Sequence, residues 1–141
     1  MLSKTTEYAI RSLVYISVQN KKGMRPGFKE IAKEINSPEQ FTAKVLQKLT
    51  KNKLVHSMKG RGGGFFFSEN EFPSLYDTII IMEGENYFTK CGFGLKKCDS
   101  ARPCPLHNEY MVIRDIFNQL ARKTSIQALA DKVIESKAVL I

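Results

Sequence analysis

Gly60-Arg61-Gly62-Gly63-Gly64 places four glycines in five positions. Such a stretch lets the backbone turn freely and approach other groups closely. It lies between two short runs of strand character, Leu54-Val55-His56-Ser57-Met58 and Phe65-Phe66-Phe67. Together the three segments read as a β-hairpin with Lys59 and Arg61 at its tip. A phosphate cradle is the competing reading of a glycine-rich loop. Here the loop lacks the following Lys-Ser/Thr, and a strand follows where a P-loop needs a helix. A basic hairpin tip can instead contact phosphates or enter a minor groove.

The segments before the hairpin decide what it belongs to. Residues 6–19 repeat Ala9, Leu13 and Ile16 at helical spacing, with Ile10 and Val14 beside them. Lys21-Lys22-Gly23-Met24-Arg25-Pro26-Gly27 reads as a turn. Phe28, Ile31, Ala32 and Ile35 fit an amphipathic helix over 28–35 that stops at Asn36. Ser37-Pro38-Glu39-Gln40 then predicts a new helix start, with Ser37 as cap, Pro38 in the first turn and Gln40 completing a capping box. This third helix runs to about Asn52. Phe41, Val45, Leu46 and Leu49 are its expected buried face, and Gln40, Lys44, Gln47, Lys48 and Lys51 its outer face.

Two short helices joined by a tight turn, followed by a basic-tipped hairpin, describe a winged helix-turn-helix. The third helix is then expected in the major groove, where Gln suits adenine edges and Lys reaches guanine or phosphate. The candidate DNA-contacting residues are Ser37, Glu39, Gln40, Thr42, Lys44, Gln47 and Lys48 on the helix, with Lys59, Arg61 and Gly62 on the wing.

Charge supports that reading. The net charge of +8 is confined to the first half: residues 1–70 carry 13 Lys/Arg against 5 Asp/Glu, and residues 71–141 carry 9 of each. A one-sided positive field steers a protein to a polyanion. No apolar run reaches the ~20 residues of a membrane span, and the first residues lack a signal-peptide pattern. A cytoplasmic protein without membrane contact is expected. There is no nucleotide-binding loop and no Ser–His–Asp or Cys–His constellation with a recognisable partner, so neither an enzyme nor a small-molecule substrate is expected.

Ser74, with Asp77 three residues on, starts a fourth helix that Gly84 closes. A loop follows that holds all three cysteines, Cys91, Cys98 and Cys104, and one of two histidines, His107. A long helix from about Leu106 to Lys123 carries Tyr110, Ile113, Phe117, Leu120 and Thr124 at spacings of 3, 4, 3 and 4, a coiled-coil-like seam. Tyr110, Ile113, Phe117 and Leu120 are its candidate dimerisation residues. Thr124 and Gln127 predict a second capping box for a final helix over about 125–135. The expected architecture is mainly α with a small β-hairpin wing. Residues 1–84 form the winged helix-turn-helix, 85–105 a sensor loop, and 106–141 the dimerisation and C-terminal helices, all within one structural unit.

Nearly the whole chain resembles the Rrf-two family of bacterial winged-helix regulators, which includes IscR, NsrR and RirA. The markers are Lys4-Thr5-Thr6-Glu7-Tyr8-Ala9-Ile10-Arg11, Glu30-Ile31-Ala32, Leu46-Gln47-Lys48-Leu49, Asn52-Lys53-Leu54-Val55 and, most specific, Lys59-Gly60-Arg61-Gly62-Gly63-Gly64-Phe65. The resemblance implies a homodimeric transcription regulator on a palindromic operator of double-stranded DNA, with the third helix in the major groove and the wing in the minor groove. The three cysteines match the cluster-binding branch, with six and five residues between them where about five and five are common.

In that branch the cysteines would hold an iron–sulfur cluster that senses iron–sulfur status, redox state or nitric oxide. Thiolates are soft ligands suited to such clusters, to Zn²⁺ and to Cu(I). The fourth ligand has two candidates. His107 stands where IscR has its ligand and would suit a 2Fe–2S cluster, the favoured reading. Glu7 matches the carboxylate that NsrR-like members supply across the dimer, which would suit a 4Fe–4S cluster. Oxygen can strip either during purification. The competing readings are a Cys₃His zinc site, a metal-free thiol switch whose thiols are acidified by Lys90, Lys96 and Lys97, inert cysteines, and a redox protein that does not bind DNA.

Overall fold

The computed structural model describes residues 2–141. It contains α1 (Lys4–Lys21), α2 (Phe28–Glu34), α3 (Glu39–Lys51), β1 (His56–Met58), β2 (Gly64–Phe66), α4 (Leu75–Glu83), α5 (His107–Lys123) and α6 (Ile126–Ser136). The architecture is the mainly helical winged helix-turn-helix expected from the sequence, with a long helix after the cysteine loop. No helix is long and apolar enough to cross a membrane among the described residues.

α1 is the centre. Its stripe is broad, as the sequence implies, because it packs against α2, α3, α4 and α6. Ala9, Leu13 and Ile16 are fully buried there with Ile31, Ile35, Leu46, Leu49 and Val55. Each such aliphatic side chain removed from water stabilises the fold by roughly 1.5–3 kcal/mol before entropy is counted. A second, smaller core joins α4 to α5: Ile79, Tyr87, Phe88 and Ala121, with Phe117 packed on them.

The turn of the helix-turn-helix is built from backbone. Asn36 adopts a left-handed conformation (φ 53°). Its amide donates to Lys33 O, and the Ser37 amide donates to Ala32 O at 2.9 Å. This is a Schellman closure of α2, and Asn is among the residues that tolerate it. The expected capping box at α3 is absent. Pro38 is the N-cap, with no side-chain capping bond. The Ser37 hydroxyl instead meets the Thr42 hydroxyl, which itself donates to Pro38 O at 2.8 Å. Val45, Leu46 and Leu49 are buried as expected, but at the start of the helix Thr42 is fully buried in place of Phe41, which is partly exposed.

β1 and β2 pair antiparallel, His56 opposite Phe66 and Met58 opposite Gly64. β1 is shorter than its expected run because Leu54 and Val55 turn into the core. The Ser74 capping box of α4 is present with Asp77 as expected, and Gly84 is its C-cap. The last expected box is absent: Ser125, not Thr124, caps α6, accepting from the Ala128 amide, and alanine has no side chain to complete a box. The α5–α6 junction is tied to the residues before α4 through Leu75 N to Thr124 O at 2.8 Å and Ile126 N to Pro73 O at 2.9 Å.

Candidate nucleic-acid interface and cysteine site

Glu39, Gln40, Lys44, Gln47, Lys48 and Lys51 are all exposed on one side of α3, opposite buried Val45, Leu46 and Leu49. Lys59, Arg61 and Gly62 are exposed at the hairpin tip. Two of the expected contact residues are placed otherwise. Thr42 is a correction: it is fully buried and its hydroxyl is used inside the helix start. Ser37 is half-buried with its hydroxyl on Thr42. A residue that sequence reasoning passed over lies beside the wing: the Arg25 guanidinium stacks 4.0 Å from the Phe66 ring centroid. His56 bonds Glu71 at 2.7 Å at the root of the hairpin.

The cysteine loop folds back on the start of α5. Cys91 is buried and Cys98 and Cys104 half-buried, all three as free thiols. The Phe93 amide donates to the Cys91 sulfur at 3.3 Å, the Gly94 amide donates to Cys91 O at 3.2 Å, and the Leu95 amide and the Cys104 side chain lie near the same sulfur. Those amides, Leu95 foremost, hold the Cys91 thiol below its usual pKa. Desolvation and the neighbouring Cys91 push Cys104 up, so of the pair Cys91 is the more ready anion. The Cys98 sulfur lies 3.4 Å from His107 Nδ1. His107 is buried, and its Nε2 has no hydrogen-bond partner among the described residues.

Arg114 is the second residue that sequence reasoning missed. Its Nη1 donates to Thr89 O and Lys90 O at 3.2 Å each and to the Cys98 sulfur at 3.3 Å. The signal for it was present: His107, Tyr110, Arg114, Phe117 and Ala121 form the inward stripe of α5, at spacings of 3, 4, 3 and 4. Tyr110 packs flat over Gly92, where a Cβ would sit 2.5 Å from its ring. Phe117 lies against Tyr87 and Phe88. Tyr110 and Phe117 therefore face their own chain, which corrects the expected seam. Ile113 and Leu120 do face outward, at 65% and 55% exposure, and Val112 and Ile116 join them at 58% and 63%.

The thiols and imidazole suit a soft metal or an iron–sulfur cluster in chemistry: three sulfurs, one of them with a lowered pKa, and a buried ring nitrogen without a partner. They do not stand in ready ligand geometry. Among the described residues no three His, Cys, Asp or Glu side chains meet as a metal site. Cys98 and His107 bond each other, and the proton between them would have to leave before Cys98 Sγ and His107 Nδ1 could take a metal. Glu7 pairs with Lys4 at 3.5 Å, on α1.

The family model for Rrf2, iron-dependent transcriptional regulators, matches residues 2–132. The chain belongs to the Rrf2 family. Rrf2 membership makes it a transcriptional regulator and not an enzyme, and accounts for the basic winged helix as a DNA-binding unit. An HTH-type transcriptional regulator of Aquifex aeolicus is 29% identical over 140 residues, covering 97% of this chain and 94% of the relative. CymR, the global cysteine regulator of B. subtilis, superposes with a TM-score of 0.76 at 21% identity, covering 93% of this chain and 96% of CymR. IscR of T. potens superposes with a TM-score of 0.74 at 17% identity, covering 99% and 92%. At these identities the two structures establish the Rrf2 fold and leave the sensing chemistry to the residues.

Proposed function

We propose that this Rrf2 regulator works as a homodimer on a palindromic operator, with α3 in the major groove and the wing in the minor groove. DNA binding is controlled by an iron–sulfur cluster held by Cys91, Cys98, Cys104 and His107, with the partner's Glu7 as the alternative fourth ligand. The observation that carries the reading is Cys98 beside His107 Nδ1 and Arg114 on the inner side of α5, with the buried His107 Nε2 unpartnered and Cys91 neighbouring Cys104, while the opposite face carries the exposed Val112–Leu120 stripe.

The bound cluster would supply a redox- and nitric-oxide-sensitive group that is lost or altered on exposure to its signal. This chain's residues do the rest. Releasing Cys98 from His107 and Arg114 frees the guanidinium that bridges α5 to the carbonyls of Thr89 and Lys90. Tyr110 over Gly92 ties the loop to the same helix. A change in the loop therefore reaches the dimer helix directly, and a coupling of ~1–3 kcal/mol is enough for a usable switch.

A second reading has its own observation. Cys91, its thiol pKa lowered by the surrounding backbone amides and with Cys104 beside it, fits a regulator that responds through its thiols, and the structural likeness to CymR is compatible with it. Anaerobic reconstitution with iron and sulfide separates the two. The cluster reading expects visible absorption with stoichiometric iron and sulfide, lost in His107→Ala or Glu7→Ala according to which is the ligand, and a changed operator affinity. A colourless product, with operator affinity that responds to thiol oxidants, selects the second reading. Operator affinity should fall steeply with salt, log K dropping by roughly 0.9 per neutralised phosphate for each decade of salt.

A further inference from the structure

Within the wing, β2 is held on both edges. β1 pairs with one edge of β2, and the turn between α1 and α2 takes the other. The Phe65 amide donates to Pro26 O at 2.9 Å. Gly64 has φ +141°, and a Cβ there would lie 2.2 Å from Arg25 O, so the two backbones touch. The knot in this contact is Asn20, in the last turn of α1. Its Nδ2 donates to Met24 O at 2.9 Å and Phe65 O at 3.2 Å. Its Oδ1 accepts from the Phe67 amide at 2.9 Å. One side-chain amide thus joins α1, the turn and β2 by three bonds. Arg25 adds a second clasp, stacked on Phe66 with Nη1 3.6 Å from Met58 Sδ on β1.

A two-stranded hairpin with three-residue strands has little stability of its own. Its direction must come from what it leans on. Here that is the end of the central helix, not α3. We propose that Asn20, assisted by Arg25, is a positioning residue for DNA recognition: it sets the angle of the wing so that Lys59 and Arg61 meet the minor groove while α3 occupies the major groove. Asn20 touches no DNA and acts through Arg61. This rests on the reading that the wing enters the minor groove.

A double-mutant cycle on the full-length protein tests it. Operator affinity is measured for wild type, Asn20→Ala, Arg61→Ala and the double variant, with hydroxyl-radical footprinting for the minor groove and guanine-N7 methylation protection for the major groove. Each single variant should bind about tenfold more weakly, and the double variant no more weakly than Arg61→Ala, since a misdirected wing gains nothing from its arginine. Asn20→Ala should lose the minor-groove footprint and keep the major-groove protection. Additive losses, equal loss of both protections, or unchanged binding by Asn20→Ala while Arg61→Ala binds weakly would each overturn the inference. Unchanged binding by Arg61→Ala would instead remove the minor-groove reading on which it stands. If Asn20→Ala fails to fold, Arg25→Lys, which keeps the charge and loses the flat stack, takes its place in the same cycle, with the same outcomes deciding.

Discussion

Gly64 shows how a single residue's role is set by a distant part of the chain, and Thr42 how it is set by the turn just before its helix. A glycine run reads as freedom, yet at Gly64 the need is for absence: φ is +141° and Arg25 O occupies the space of a Cβ. Gly62 differs, with φ +75° and nothing within 4 Å. Ala at Gly62 should cost only the ~1–2 kcal/mol of a left-handed alanine. Ala at Gly64 adds a backbone clash to that strain and should cost clearly more, and it should displace the wing. Chemical denaturation of the two variants compares them; equal costs would contradict the close contact. None of this is legible locally, because Arg25 lies in another turn. Thr42 was unreadable for a related reason. A threonine on a helix with a basic face looks outward-facing, but Pro38 O and the Ser37 hydroxyl take up its polar end, and that leaves the rest free to be buried.

At the scale of elements, helix existence followed from apolar periodicity and helix phase did not. α5 carries apolar residues on nearly every side, so two stripes fit a 3–4 spacing. The seam Tyr110, Ile113, Phe117, Leu120 crosses from the inner stripe to the outer one. What separates them is the second core, whose Tyr87 and Phe88 come from a loop with no periodicity to read. Element packing also yields a pH prediction. Glu83 at the end of α4 accepts from Ser3 N at 2.7 Å and Thr6 Oγ1 at 2.6 Å, clamping the start of α1. Burial alone would raise its pKa, but these bonds, with Lys90 nearby, outweigh it and lower the value. A carboxylate whose pKa is lower folded than unfolded stabilises above its unfolded value and loses that contribution as pH falls through its folded one. Glu83→Ala should therefore lower the thermal midpoint at neutral pH, by the equivalent of about 1 kcal/mol. The gap to wild type should shrink below about pH 4.5, near the unfolded carboxylate range. A gap that persists in acid would assign the effect to packing.

At the scale of the whole molecule, α5 has two unlike faces and the proposed regulation depends on both. Its inner face binds the loop through Tyr110 on Gly92 and Arg114 on Cys98, Thr89 and Lys90. Its outer face leaves Val112, Ile113, Ile116 and Leu120 each more than half exposed. A contiguous apolar stripe of that kind marks a contact surface, and a second copy of the chain would bury it isologously. Two α3 helices brought together in this way can read half-sites about 34 Å apart, one turn of duplex. Replacing Ile113 and Ile116 together with Asp should leave the monomer folded, since neither side chain is in its core. The circular-dichroism spectrum should be unchanged, sedimentation should report a monomer, and operator affinity should fall at least tenfold, toward that of a half-site. Tyr110→Ala and Phe117→Ala make the contrast: on the corrected orientation they loosen the cysteine loop and the second core and leave the association constant nearly untouched. If instead Tyr110→Ala dissociates the dimer and the double Asp variant does not, the two faces of α5 have been assigned the wrong way round.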